Sequence, residues 1–171
     1  MPDAFEHMQQ YVERHVPDLR PNVLPGVRGV LRDLDRRGHL LGLLTGNLSR
    51  IATAKMRAAG LEQYFDVGGF GEESELRASL VPVAIAAAGV RAGHDIPPEE
   101  VIVIGDTPLD IEAGKLTGTR TVGVATGPYS PGELEATGAD LVLPSFADTR
   151  RSVEDLISLL RPLRRTETTL Q

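Results

Sequence analysis

The chain has 171 residues, enough for one domain with a buried core. Its 18 Lys and Arg against 24 Asp and Glu leave a formal net charge of −6, which argues against a nucleic-acid or anionic-membrane partner. The lack of Cys excludes disulfides and thiolate metal sites, and no export signal or membrane-length apolar run is visible, so the expectation is a cytoplasmic protein.

At the amino end, Phe5, Met8, Val12 and Val16 recur at helical steps and predict an amphipathic helix ending near Pro17. Beyond Pro21 and Pro25, the stripe Val27, Val30, Leu31 and Leu34 predicts a second helix stopped by Gly38. Leu40 to Leu44 reads as the first buried strand, with Thr45, Gly46 and Asn47 as its exit. Asn47 or Ser49 is expected to cap a third helix carrying Ile51, Ala52, Met56 and Ala59. Phe65 to Phe70 suggests a short strand, followed by the acidic turn GEESE and a helix through Leu80, Val81, Ala84, Ala87 and Val90.

The next segment, VIVIGDTPLD, organises the rest. Val101 to Ile104 are β-branched without polar interruption, as in a strand buried on both faces of a parallel sheet. Gly105 frees the backbone at the strand's end, Asp106 follows, Thr107 suits a helix cap, and Pro108 suits its first turn. Asp110 then falls where the positive end of a helix favours an acid. That helix should close near Gly118. A strand at Thr121 to Ala125, a helix at Pro131 to Thr137, a strand at Leu141 to Leu143 and a helix at Val153 to Leu160 complete the pattern, before a polar tail from Arg161 that should fray. Strands alternating with helices imply right-handed crossovers and an α/β fold with a doubly wound parallel sheet.

Two clusters carry chemistry. Thr45 places a hydroxyl at a strand's carboxyl end beside Gly46, which lets backbone N–H groups approach an anion. Asp106 and Asp110 offer hard oxygen ligands of the kind Mg²⁺ takes together with water and substrate phosphate. Each cluster alone has a plainer reading: TGN as an ordinary strand-to-helix turn, Asp106 as a turn residue and Asp110 as a helix-start acid. Together, each ending a strand, they outline a phosphoryl site at the mouth of a sheet, where open α/β folds bind ligands.

LLTGN and GDTPLD resemble the second and fourth motifs of the haloacid dehalogenase-like hydrolases, close to phosphoglycolate-phosphatase-type members. The likeness covers most of Leu24 to Leu143. It implies a Mg²⁺-dependent phosphatase of small phosphomonoesters. In it Thr45, with Gly46 and Asn47, would bind the phosphoryl group, and Asp106 and Asp110 would hold and orient the metal. The third motif of such enzymes is a cation, usually lysine. Lys55 comes too soon after Thr45 and Lys115 comes after the fourth motif, so Arg77, in ELRASLVP, stands where the cation belongs. Its plainer reading is an exposed arginine near a helix start.

The resemblance also implies an aspartate nucleophile on a strand upstream of everything matched here, forming an aspartyl-phosphate. The only DxD, Asp33 to Asp35, lies on an amphipathic helix and is followed by two arginines rather than Gly-Thr. The chain is therefore expected to begin within the helical cap of the family. Residues 1–20 would be a cap remnant, 21–161 the core and 162–171 a flexible tail.

As given, the chain would be inactive, and upstream codons are expected to encode the missing strand. The alternative is a pseudo-enzyme that binds a phosphorylated ligand, or a partner chain that supplies the strand. Without that central strand, the strands ending at Thr45 and Asp106 would either close up or flank a slot of roughly 10 Å. Their exposed edges would favour self-association.

Overall fold

The computed structural model describes residues 21–74 and 76–160. The helix expected before Pro17 and the tail from Arg161 lie outside the described residues.

Helix α1 (Val27–Arg36) begins after Gly26, whose φ of 83° and contact with the Phe146 carbonyl leave no room for a side chain. Strand β1 (Gly42–Thr45) leads into α2 (Ser49–Ala59) and then β2 (Val67–Phe70). Helix α3 (Arg77–Ala92) precedes β3 (Ile102–Gly105), α4 (Pro108–Leu116) and β4 (Arg120–Val124). A short α5 (Pro131–Ala136), β5 (Leu141–Leu143) and α6 (Thr149–Leu160) follow.

All strand pairings are parallel, and helices cover both faces, so the fold is α/β and doubly wound. Neighbouring residues of β3 show the two layers, because successive strand side chains point to opposite faces. Val103 joins Val81 of α3 and Ala113 of α4, while Ile102 packs against a cluster built by Val30 and Leu34 of α1 with Val153 and Leu156 of α6.

The strands form two separate sheets, β1-β2 and β3-β4-β5. Among the described residues no strand lies between β1 and β3, and each pairs along one edge only. Of the two expected arrangements, the closed-up sheet is not formed, since β1 and β3 are not paired with one another. Helix α3 spans the division: it packs on β1, β2 and α4, and Leu44 of β1 reaches the Val81–Val103–Ala113 cluster. Apolar packing under the sheets thus replaces hydrogen bonding between them.

Several sequence expectations need correction. Neither β1 nor β3 is buried on both faces: β1 is at best half-buried, and Ile104 is 41% exposed in the middle of β3. A strand with one neighbour leaves side chains beside its open edge in contact with water. β1 starts at Gly42, because His39 to Leu41, after the turn at Arg37 and Gly38, run without regular structure and make no ladder bonds. Phe65 closes the 3₁₀ turn Glu62–Tyr64, which delays β2 to Val67. Helix α6 begins at Thr149, well before Val153, because the Asp148 carboxylate accepts the Arg151 N–H and starts it early.

Candidate functional site

The loops leaving the carboxyl ends of β1, β2, β3 and β4 converge. Parallel register sets Thr45 opposite Phe70, so the exits of β1 and β2 lie side by side. The Gly71 N–H donates to the Asn47 carbonyl at 3.0 Å, and a Cβ on Gly71 would collide with the Gly46 carbonyl. Arg77, the first residue of α3, pairs with Asp110 of α4, which brings the exit of β3 to the same end. Beyond β4, Gly127 packs so closely on the Asp106 carboxylate that a side chain there would displace it.

On the β1 side, the Thr45 Oγ1 accepts two hydrogen bonds, from the Asn47 backbone N–H at 3.1 Å and from Asn47 Nδ2 at 2.9 Å. Asn47 therefore does not cap α2, and neither does Ser49. The cap residue is Leu48, and the Glu72 carboxylate accepts the Ser49 N–H at 2.9 and 3.1 Å instead. Partial burial pushes the Glu72 carboxyl upward, but the hydrogen bonds from Ser49 outweigh it and hold it below the ordinary glutamate value. A turn that reads as merely acidic in sequence thus fastens the β2–α3 loop to the start of α2.

On the β3 side, Asp110 is buried, and Gly105 is what admits it, since a Cβ there would overlap the Asp110 carboxylate. Asp110 Oδ2 accepts the Thr107 hydroxyl at 2.8 Å and the Thr107 N–H at 3.1 Å. Its Oδ1 accepts from Arg77 Nη1. Arg77 is therefore no idle surface residue but the charge partner of the buried acid. Asp106 is half-buried, with Gly127 against one of its oxygens, and makes no hydrogen bond or ion pair among the described residues.

A family model described as haloacid dehalogenase-like hydrolase matches residues 2–124. The chain belongs to that family. Among its relatives, a phosphoglycolate phosphatase of Caulobacter vibrioides is 31% identical over 154 residues, covering 86% of this chain and 60% of the relative. A pyrophosphatase PpaX of Bacillus velezensis is 31% identical over 119 residues, covering 69% of this chain and 53% of the relative. The crystal structure of a hydrolase from Pseudomonas syringae superposes with a TM-score of 0.67 at 25% identity, covering 89% of this chain and 67% of that one. The chain thus spans about 60% of the Caulobacter relative's length.

Within the haloacid dehalogenase-like family, the positions matching its motifs fall into two groups in this structure. Thr45, Gly46 and Asn47 form one, and Arg77, Asp106 and Asp110 the other. Among the described residues no group of three His, Asp or Glu is arranged to hold a metal. The donor set that is present, the Asp106 carboxylate without a protein partner and the Asp110 carboxylate engaged by Arg77 and Thr107, is of the hard oxygen type that suits a cation completing its shell with water and substrate oxygens, as Mg²⁺ does.

The sequence reading passed over two residues that the structure brings to the site. Glu72 is one. Lys55 is the other: its Nζ lies 3.3 Å from the Asn47 Oδ1, because side chains of a helix lean toward its amino end.

Proposed function

We propose that this chain carries the phosphoryl- and metal-binding part of a phosphatase acting on a small phosphomonoester. Thr45 would donate its hydroxyl to a phosphoryl oxygen, and the Gly46 and Asn47 backbone would shape the cradle. Arg77 would hold Asp110 in place and lend positive charge. Asp106, with Asp110 behind it, would hold Mg²⁺, which when bound neutralises phosphoryl charge. The observation that supports this reading is the convergence of the four loops, with Asn47 on Thr45, Arg77 on Asp110 and Gly127 against Asp106. The differing titles of the relatives, phosphoglycolate phosphatase and pyrophosphatase, leave the substrate class at phosphate compounds.

Positioning without attack does not cleave a phosphoester. We therefore propose that the chain as given binds phosphate without turning over esters, for want of an aspartate nucleophile on a strand that would seat between β1 and β3. A second reading, in which a partner chain supplies that strand, is favoured by the single-edge pairing of both strands. Titration with inorganic phosphate and Mg²⁺, followed by ³¹P line broadening, tests the binding reading. Saturable binding weakened at least tenfold by Thr45→Val, and losing its Mg²⁺ dependence in Asp106→Asn, is expected. Binding indifferent to both substitutions would overturn it.

A further inference from the structure

Thr45 is asked to give a proton to an anion, yet a hydroxyl can equally turn its hydrogen toward a neighbouring acceptor. What decides is how its oxygen is occupied. A threonine oxygen has one hydrogen to donate and two lone pairs to fill. Both bonds recorded for Thr45 Oγ1 are received, from the Asn47 N–H and from Asn47 Nδ2. With both acceptor positions taken, the O–H hydrogen must point away from Asn47.

That arrangement holds only while the Asn47 amide presents its nitrogen to Thr45. Turned over, the amide would present its carbonyl, and the Thr45 hydroxyl would donate inward and be spent. Lys55 settles the choice, since an ammonium has donors and no lone pair and so tolerates only the carbonyl oxygen beside it. Its Nζ is 3.3 Å from Asn47 Oδ1. The Asn47 main chain is fixed independently by the Gly71 N–H on its carbonyl. The side-chain amide is therefore the part left to be set.

We infer that Lys55 is a positioning residue of the phosphoryl site: it locks the Asn47 amide, and through it keeps the Thr45 hydroxyl a donor toward the bound anion. Lys55 touches neither Thr45 nor, in this account, the anion. The inference rests on the reading of Thr45 as a phosphoryl donor given above.

The test uses the full chain with inorganic phosphate as probe, comparing wild type with Lys55→Met, Lys55→Arg, Asn47→Asp and Thr45→Val. The readouts are phosphate affinity and the side-chain NH₂ resonances of Asn47. Expected for Lys55→Met are a three- to tenfold loss of affinity and faster exchange or averaging of the Asn47 NH₂ pair, with Lys55→Arg restoring both. Asn47→Asp, which has no amide donor, should lose affinity as Thr45→Val does. If wild type binds phosphate and Thr45→Val abolishes it, but Lys55→Met changes neither affinity nor the Asn47 signals, the role of Lys55 is refuted and the site reading stands. If Thr45→Val has no effect, the site reading fails first. A loss in Lys55→Met that Lys55→Arg does not restore, with the Asn47 signals unmoved, would also refute the positioning role.

Discussion

Replacing Arg77 by Met keeps the aliphatic stem and removes the charge that faces Asp110. Asp110 is 3% exposed, and its carboxylate would keep two hydrogen bonds from Thr107 but lose its counter-charge. Breaking a fully buried ion pair costs about 3–5 kcal/mol, and a hydrogen bond to a charged group is worth about 1.5–3 kcal/mol. The Arg77 side chain is 39% exposed, so solvent screens the pair and the lower range applies. A loss of about 1.5–2 kcal/mol is expected, or about 3–8 °C in Tm at 2–4 °C per kcal/mol for a domain of this size. Urea denaturation of Arg77→Met, Asp110→Asn and the double variant closes a thermodynamic cycle. In the Asp110→Asn background the cost of Arg77→Met should fall by at least about 1 kcal/mol, because no buried charge is left behind. Strictly additive costs would refute the claim that this pair joins the α3 and α4 sides of the site.

Three further outcomes follow from the same geometry. Gly105→Ala forces a methyl into the space of the Asp110 carboxylate and should cost about 1–3 kcal/mol by urea denaturation, and a neutral result would mean the β3 exit is looser than described. Because Glu72 is held below its ordinary value in the fold, its cap on Ser49 should be fully present above about pH 4.3 and be lost as pH falls through the folded value. Protection of the Ser49 amide from hydrogen exchange should follow that course in wild type and be weak at every pH in Glu72→Gln, so equal profiles would rule the cap out. The open edges of β1 and β3 should make the chain associate with itself at rising concentration in sedimentation experiments, less so in Ile104→Lys, and a monomer at all concentrations would count against adhesive edges.

Much of the site was legible because its chemistry is local in sequence. GDTPLD encodes a glycine, a capping hydroxyl and two acids within one strand exit and one helical turn, and the structure closes Thr107 on Asp110 as that spacing suggests. Arg77 could be assigned to the third-motif position by resemblance, but its pairing with Asp110 depends on where α3 crosses α4, which no local pattern states. Lys55 was dismissed for lying too early in the chain. The geometry that brings it to Asn47 is the backward lean of a helical side chain across two turns, visible only once α2 is placed. Glu72 escaped notice for a related reason: its partner is the end of another element, 23 residues away. The burial of β1 and β3 was overestimated because apolar composition records what a strand can bury. Whether it does so depends on neighbours along both edges, and each of these strands has one among the described residues.

The central proposal is that this chain binds a phosphoryl group through Thr45, Asp106 and Asp110 but does not turn over esters. Assay of the purified chain, with and without Mg²⁺, on a panel of small phosphomonoesters and pyrophosphate tests it most directly. The account predicts no Mg²⁺-dependent release of phosphate above background from any of them. Turnover by the wild-type chain that disappears in Asp106→Asn would contradict it, since the residues described here would then suffice for catalysis.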